Sequence, residues 1–596
     1  MVLKERIRKW ENWIIALIPI LALGIYAGLC FDYYYDLNDD VLMKDILAGV
    51  YTGMPEGHNI QMLWPISALI SGFYRIAGSL PWYGLFLCGC HFVCMLLLTE
   101  RAVSLCKKRA GKLLVSVVSI LLFLAFFLSH LIFAQYTVTC TLLGATAAFL
   151  FYTTDITLDT GAFLRKNILS VVLVVIAYLI RSEMLLLVLP MICVTGVCKW
   201  GSEKKIFTKD HAGKYLGVIG LILAGLLLGK AAHMLAYSSE EWRAFTEFFD
   251  NRTELYDFQA PPAYEENREF YENIGLSESE KILFDNYNFG IDDEIDEKMI
   301  GEIAEYAGQL RVERTAFSEN LIEKLKSYCY RLLHGPNAVG SDYPWNYLVI
   351  LGYFLVFFAA FPIKTDGAGR MRNVLGITWK LVFLFAVRSA LWMYILWGER
   401  APERITHSLY LMEFCILAAM LMTEWRRIAS GKTTGFLGGT TLILFAVFGA
   451  LVLPQSVRGV EQMQQVRAFT NAPYRELYRY LTEGENQQNF YLIDVYSSVA
   501  YSEKMFENVD NSLDNYDIMG GWACKSPLWR KKLAVFGIDS MEQALRERED
   551  VYFVRKVSED LQWIYDYYEG HGTPVKLTLQ ETIAGEFEIY SVEAGQ

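Results

Sequence analysis

"MLWPISALISGFYRIAG", residues 62–78, is apolar enough to be taken for a membrane span, and whether it crosses decides on which side every later loop lies. A helix rises about 1.5 Å per residue, so crossing about 30 Å of hydrocarbon takes about 20 residues. Candidate spans fall at about 13–31, 82–100, 113–132, 136–153, 167–181, 184–198, 214–236, 345–363, 374–397, 405–423 and 435–454. If 62–78 does not cross, the loops 101–112, 153–167, 199–214, 364–373 and 424–432 share one side and carry 5, 2, 5, 3 and 3 Lys or Arg. The short turns opposite then hold only Arg181, Arg400 and Arg404. Making 62–78 a span would invert all of these loops against the positive-inside tendency. The segment therefore reads as a helix in the outer interface, interrupted by Pro65 and anchored by Trp64 and Trp82. Eleven spans follow, with the N-terminus inside and the C-terminus outside, as expected of a plasma-membrane protein.

Composition agrees. The chain has 596 residues, 54% of them hydrophobic, with positive mean hydropathy, which is too apolar for an ordinary soluble enzyme. The net charge of -12 is concentrated between Ser238 and Asp342, where 24 acidic residues face 10 basic ones, so nucleic acid is excluded as a partner. Most cysteines, such as Cys88, Cys94 and Cys415, lie in apolar runs and act as small hydrophobes, and none has zinc-finger spacing. The basic residues Lys4, Arg6, Arg8 and Lys9 precede an apolar run too long for a signal core, which reads as a retained anchor helix.

The expected domains are a membrane module over 1–236 with an outer loop 32–81, an acidic helical segment over 237–344, a second set of spans over 345–454, and an outer domain over 455–596. Runs such as "EEWRAFTEFF" in the acidic segment have apolar residues at helical spacing. The last domain alternates helices with "NFYLIDVYSS", "VYFVRK", "PVKLTL" and "EFEIYSV", which predicts a small α/β fold.

The loop 32–81 opens with "FDYYYDLNDDVLMKDI", placing Asp32, Asp36, Asp39, Asp40 and Asp45 where the chain leaves the first span. Asp32, Asp36 and Asp45 read as solvated loop charges. Asp39 and Asp40 sit side by side at the start of an amphipathic helix, where carboxylates are favoured, but capping accounts for one of them and not for a pair.

A first span, a long outer loop opening on paired acids, interfacial helices containing Pro, and a return to a basic loop resemble the GT-C superfamily of membrane glycosyltransferases. The resemblance covers the whole architecture and is sharpest over residues 32–100. It implies a GT-C-like helical membrane fold and transfer of a sugar from a polyprenyl-phosphate lipid to a glycan, lipid or protein acceptor outside the membrane. Asp39 or Asp40 would take the catalytic place. One carboxylate accepting the proton of the attacking hydroxyl, with phosphate leaving unaided, suffices for an inverting displacement. Cationic donors at the outer ends of spans would hold the donor phosphate, and the candidates are Arg404, Arg400, Arg388, which lies inside an apolar run, and Arg181. Snorkelling of Arg400 and Arg404, or pairing of Arg181 with Glu183, accounts for them equally well.

His58, Tyr35 and Tyr51 are candidate acceptor contacts, with a local hydrogen bond or an interfacial aromatic belt as the plainer alternatives. Some GT-C enzymes use a divalent metal, Mg or Mn; Asp39, Asp40 and His58 would be its ligands here, although no spacing compels one. Asp494 and "DIMGGW" end strand-like runs and are weaker acceptor-site candidates. Two other classes compete: a transporter or flippase for a lipid-linked sugar, and a non-catalytic, membrane-anchored wall-binding protein. The large soluble segments weigh against a carrier.

Overall fold

In lipid, a backbone without water satisfies its polar groups within helices. Ten described helices are long and apolar enough to cross a membrane: Trp10–Cys30, Trp82–Leu105, Arg109–Ile132, Tyr136–Thr153, Thr160–Ile180, Ser182–Trp200, Lys209–Ala236, Met371–Trp397, Glu403–Trp425 and the apolar part of Gly438–Thr482. The computed structural model describes residues 2–203, 205–314, 317–336, 338–361, 367–428, 434–507 and 511–595. The expected span 345–363 is helical over Trp345–Phe358, and its last two positions, like parts of the loops 364–373 and 424–432, lie outside the described residues. The chain is a multi-pass helical membrane protein with a small C-terminal sheet domain. Tyr136–Thr153 is its hub, almost wholly buried against Glu403–Ile428, Thr160–Ile180, Ser182–Trp200 and Trp82–Leu105.

Residues 62–78 do not cross. The helix there is Trp64–Ile76, 13 residues and about 20 Å long, too short to span. It lies across the ends of other spans: the Leu63 amide donates to the Leu179 carbonyl at 2.9 Å, and the Trp64 amide bonds His233 Nδ1 at 3.2 Å. Pro65 does not interrupt it but starts it, where the missing N–H costs nothing. Basic residues meet at the opposite end of the bundle. Arg101 donates to Thr154 Oγ1 (3.3 Å), Lys199 to the Tyr152 carbonyl (2.7 Å), Lys214 to the Ile156 carbonyl (2.6 Å) and Lys380 to Ser202 Oγ (2.7 Å).

The expected boundary at 454/455 falls inside one continuous helix. Thr434–Thr482 runs 49 residues, about 73 Å, through Pro454 and Pro473, and carries the chain from the bundle to the sheet domain. The two-residue strands β1 (Tyr34–Tyr35) and β2 (Phe133–Ala134) pair in parallel at the end of the bundle. The domain's sheet comprises β3 (Phe490–Ile493), β4 (Tyr516–Ile518), β5 (Val551–Lys556), β6 (Val575–Ile583) and β7 (Phe587–Ala594) in the order β4-β3-β5-β7-β6. β3 runs parallel to both neighbours and is buried on both faces, as a parallel strand should be.

Side chains alternate across a strand, and here the two faces meet different partners. Tyr491 and Ile493 pack on Tyr474, Leu477 and Leu481 of the long helix. Phe490 and Leu492 share a core with Phe248, Leu255, Phe284 and Phe289 of the acidic segment. The segments read as two separate domains thus form one body. Gly520 is required at their seam, because a Cβ there would lie 1.9 Å from the Tyr287 carbonyl oxygen.

Candidate active site

The helix Asn38–Ala48 begins the site. One residue step on a helix turns about 100°, so Asp39 and Asp40 face different ways. Asp40 lies on the side with Met43 and Leu47, all three wholly buried, while Asp39 is half-exposed on another side. Gly49 ends the helix at φ +92, and a Cβ there would press into Met54 and Pro55.

Asp40 is anchored through one carboxylate oxygen, while its Oδ2 is buried without a hydrogen-bond partner among the described residues. Its Oδ1 accepts from the Tyr83 hydroxyl at 2.8 Å and from the Tyr136 amide at 3.4 Å. Burial raises its pKa well above the ordinary carboxylate range; the Tyr83 hydrogen bond opposes this only in part, and the charges of Asp39 and Asp36 add to the rise. Three other carboxylates of the stretch are ion-paired, Asp36 and Asp45 as partly buried fasteners and Asp32 while still largely solvated. Asp32 pairs with Lys504 at 3.0 Å, Asp36 with Arg467 at 2.8 Å, and Asp45 with Lys44 at 2.6 Å, whose ammonium also reaches Glu503 at 2.9 Å. Arg467, on the long helix, also donates to the Tyr35 carbonyl at 3.0 Å and lies over the Phe133 ring.

Asp39 is left as the carboxylate of the stretch without a hydrogen-bond or ion-pair partner among the described residues. It lines a cavity of about 790 Å³ between the loop 32–81, the acidic segment and the α/β domain, a size suited to a ligand. Eight tyrosines line that cavity, among them Tyr51, Tyr287, Tyr478 and Tyr501, with Arg252, Arg475, Lys532, Asp514 and Asp517 between them. Such a mixture of aromatic faces and charged hydrogen-bonding groups suits a polyhydroxylated molecule.

Behind Asp39 stands a cationic cluster. Arg181 donates to the Tyr136 hydroxyl at 2.5 Å and to Gln61 Oε1, and its Nε lies 3.2 Å from Glu183. Burial works against the Arg181 charge, but Tyr136, Glu183 and Asp39 outweigh it and raise its pKa. Asp39 is thus within electrostatic reach of this guanidinium. Arg404 stands on the same side, close enough to act on both Tyr136 and Asp36. An apolar groove of about 130 Å³, lined by Leu122, Phe126, Trp345, Phe414 and Leu442, runs among the spans below. The Trp345 ring lies 5.8 Å from that of His407, one turn along the helix from Arg404.

The other candidates are placed elsewhere. Arg388 is 1% exposed and bonded to Glu413 at 2.8 Å and to the Tyr328 hydroxyl at 2.5 Å, a buried ion pair among the spans and apart from the Asp39 cavity. Arg400 pairs with Asp257 of the acidic segment. Tyr35 is buried and stacked on Tyr83 at 5.6 Å, away from the cavity, whereas Tyr51 lines it and donates to Asp517 at 3.1 Å. His58 stacks on Trp242 at 5.1 Å, with Nε2 3.2 Å from the Ala236 carbonyl. Asp39, Asp40 and His58 do not converge as metal ligands: the Asp40 oxygen is held by tyrosine and backbone, and His58 is outside the cavity lining. Asp494 caps the short helix after β3 and accepts from Asn288 at 2.7 Å, joining segment to domain rather than facing an acceptor.

Tyr136, Gln61, Arg252, Tyr287 and Lys532 were not foreseen. The sequence offered one signal, Tyr136 following directly on the three-residue turn 133–135 between two spans.

No family model and no curated protein matches the sequence. Among solved structures, ArnT from Cupriavidus metallidurans in the apo state aligns over 96% of this chain and 96% of its own, with 9% identity and a TM-score of 0.40. The same protein bound to undecaprenyl phosphate aligns over 96% of this chain and 97% of its own, with 8% identity and a TM-score of 0.37. Scores of that size reflect a loosely similar course of the chain and say nothing about which residues act.

Proposed function

We propose that this chain is a GT-C-type membrane glycosyltransferase that moves a sugar from a polyprenyl-phosphate donor to a hydroxyl acceptor held in the cavity. The observation that carries the reading is the position of Asp39, on the cavity wall with the Arg181 cluster behind it. Asp39 accepts the acceptor hydroxyl's proton, the oxygen attacks the anomeric carbon from the face opposite the phosphate, and the C–O bond to phosphate breaks with inversion. Arg181 and Arg404 stabilise the departing phosphate, where fixed positive charge acts on developing negative charge. Asp40 positions the helix through Tyr83 and Tyr136 and does not touch substrate. The apolar groove that starts at Trp345, next to His407, would receive the first part of a polyprenyl chain. The basic residues at the far ends of the spans support a reading with that side in the cytoplasm and the cavity outside.

Detergent-purified protein incubated with labelled polyprenyl-phosphate sugar tests this. Release of polyprenyl phosphate with label passing to an acceptor supports the enzyme, and Arg181→Ala should raise the donor KM by at least about tenfold, as loss of a charged hydrogen bond of about 1.5–3 kcal/mol implies. In vesicles, movement of the lipid without turnover would favour a carrier. Neither turnover nor movement would favour a scaffold.

A further inference from the structure

Away from the cavity, three ligand-type atoms converge between the acidic segment and the α/β domain. Glu280 Oε1 lies 3.5 Å and Asp292 Oδ2 3.9 Å from His571 Nε2, and all three lie within 4.8 Å of one another. Each is the free end of a group whose other end is fixed by backbone. Glu280 Oε2 accepts from the Ser277 amide at 2.6 Å, Asp292 Oδ1 from the Glu294 amide at 2.8 Å, and His571 Nδ1 bonds the Tyr567 carbonyl at 2.8 Å. A carbonyl only accepts, so Nδ1 carries a proton, and in the neutral ring Nε2 presents its lone pair. Asp292 is 2% exposed, and its Oδ2 has no hydrogen-bond partner among the described residues. Lys525 is turned to the Asp292 backbone carbonyl instead.

Lone pairs on three inward-facing atoms repel unless positive charge sits among them, and buried carboxylates are paired or coordinate metals. We propose that Glu280, Asp292 and His571 bind one divalent transition cation of the zinc type, fastening the acidic segment to the domain. Two carboxylates and a neutral imidazole balance its charge, and imidazole nitrogen favours a transition metal over magnesium or calcium. Bonds of about 2.0–2.2 Å in a tetrahedron set ligand atoms about 3.4 Å apart, close to the observed separations from His571. Backbone bonds on the outer atoms are the support that metal-ligating histidines and carboxylates need. His571 is about a third exposed, which leaves the fourth position open to water. The cation would tie down both ends of the stretch 280–292, which carries Tyr287 of the cavity wall and Asn288, the donor to Asp494.

The test uses tag-free, full-length protein in detergent, stripped with chelator and titrated with zinc chloride while bound metal and thermal unfolding are followed. One zinc per chain and a saturable rise in unfolding temperature are expected. His571→Gln and Glu280→Gln should each weaken binding at least about 100-fold, while Asp39→Asn binds as wild type does. His571→Gln is on the exposed side, so it reports on the site even where Asp292→Asn fails to fold. Wild-type protein taking up no more zinc than His571→Gln, or an equal rise with magnesium, would overturn the assignment.

Discussion

Replacing Arg388 by Met separates two roles for an arginine inside a span. Its Nε lies 2.8 Å from Glu413 Oε2, with both side chains at most 1% exposed, and its guanidinium is ringed by Tyr328, Trp392 and Tyr410 at 5.2–5.4 Å from their centroids. At an effective dielectric constant of about 20, charges 2.8 Å apart attract by about 6 kcal/mol before desolvation is subtracted. Breaking a buried pair leaves the surviving charge uncompensated and costs about 3–5 kcal/mol. Among the described residues Glu413 would keep only the Tyr353 hydroxyl, which donates to it at 2.7 Å. Arg388→Met should therefore destabilise the chain by about 3–5 kcal/mol, read as unfolding free energy in mixed micelles. Adding Glu413→Gln, which removes the stranded charge and keeps the Tyr353 bond, should recover most of that loss. A double-mutant cycle measures the coupling. If Arg388→Met keeps its stability within about 1 kcal/mol but loses affinity for a polyprenyl-phosphate donor, the pair is not structural and Arg388 clamps the phosphate after all.

Four other outcomes are expected. Asp40→Asn keeps an acceptor for Tyr83 and the Tyr136 amide, so its transfer rate should fall by no more than about tenfold, less than loss of a general base; Asp40→Ala should cost about 1–3 kcal/mol of stability by stranding both donors. Loss of transfer in Asp40→Asn with binding intact would make Asp40 the base. Burial, with the Asp45 charge adding to it, pushes the Asp514 carboxyl up to about 7. An unfolded Asp titrates near about 3.9, so between those values the folded chain holds a proton that the unfolded chain has lost, and stability falls as pH rises through that window. Asp514→Asn should flatten the decline in unfolding temperature between about pH 4 and 7, and an unchanged slope counts against the burial argument. Gly520→Ala should displace Tyr287 and weaken cavity ligands, because the added Cβ meets its carbonyl oxygen at 1.9 Å; wild-type binding would show that the seam yields freely.

Charge parity kept 62–78 out of the set of spans from local counts alone, and the 13-residue helix found there agrees. The strands were legible for the same reason, since "FYLI" and "VYFVRK" carry β-branched and aromatic residues in short runs. Partners distant in the chain were not legible. Arg467 lies 431 positions from Asp36, and no local pattern tells a paired carboxylate from a solvated one. The fusion of the acidic segment with the sheet domain was not legible because Phe248 reads as an ordinary helix-core residue and Phe289 sits in a turn, and neither, read in the sequence, points to β3. The choice between Asp39 and Asp40 was within reach, however. Met43 and Leu47 follow Asp40 at helical spacing, which turns Asp40 to the core and Asp39 away from it.

Single-turnover transfer by Asp39→Asn, measured beside donor binding, bears most directly on the account. Asparagine preserves shape but accepts no proton, so the transfer step should slow by about 100-fold to 10,000-fold, or about 2.7–5.4 kcal/mol of barrier. Donor affinity and unfolding free energy should stay at wild-type values. Transfer at the wild-type rate in this variant would contradict the assignment of Asp39 as the base.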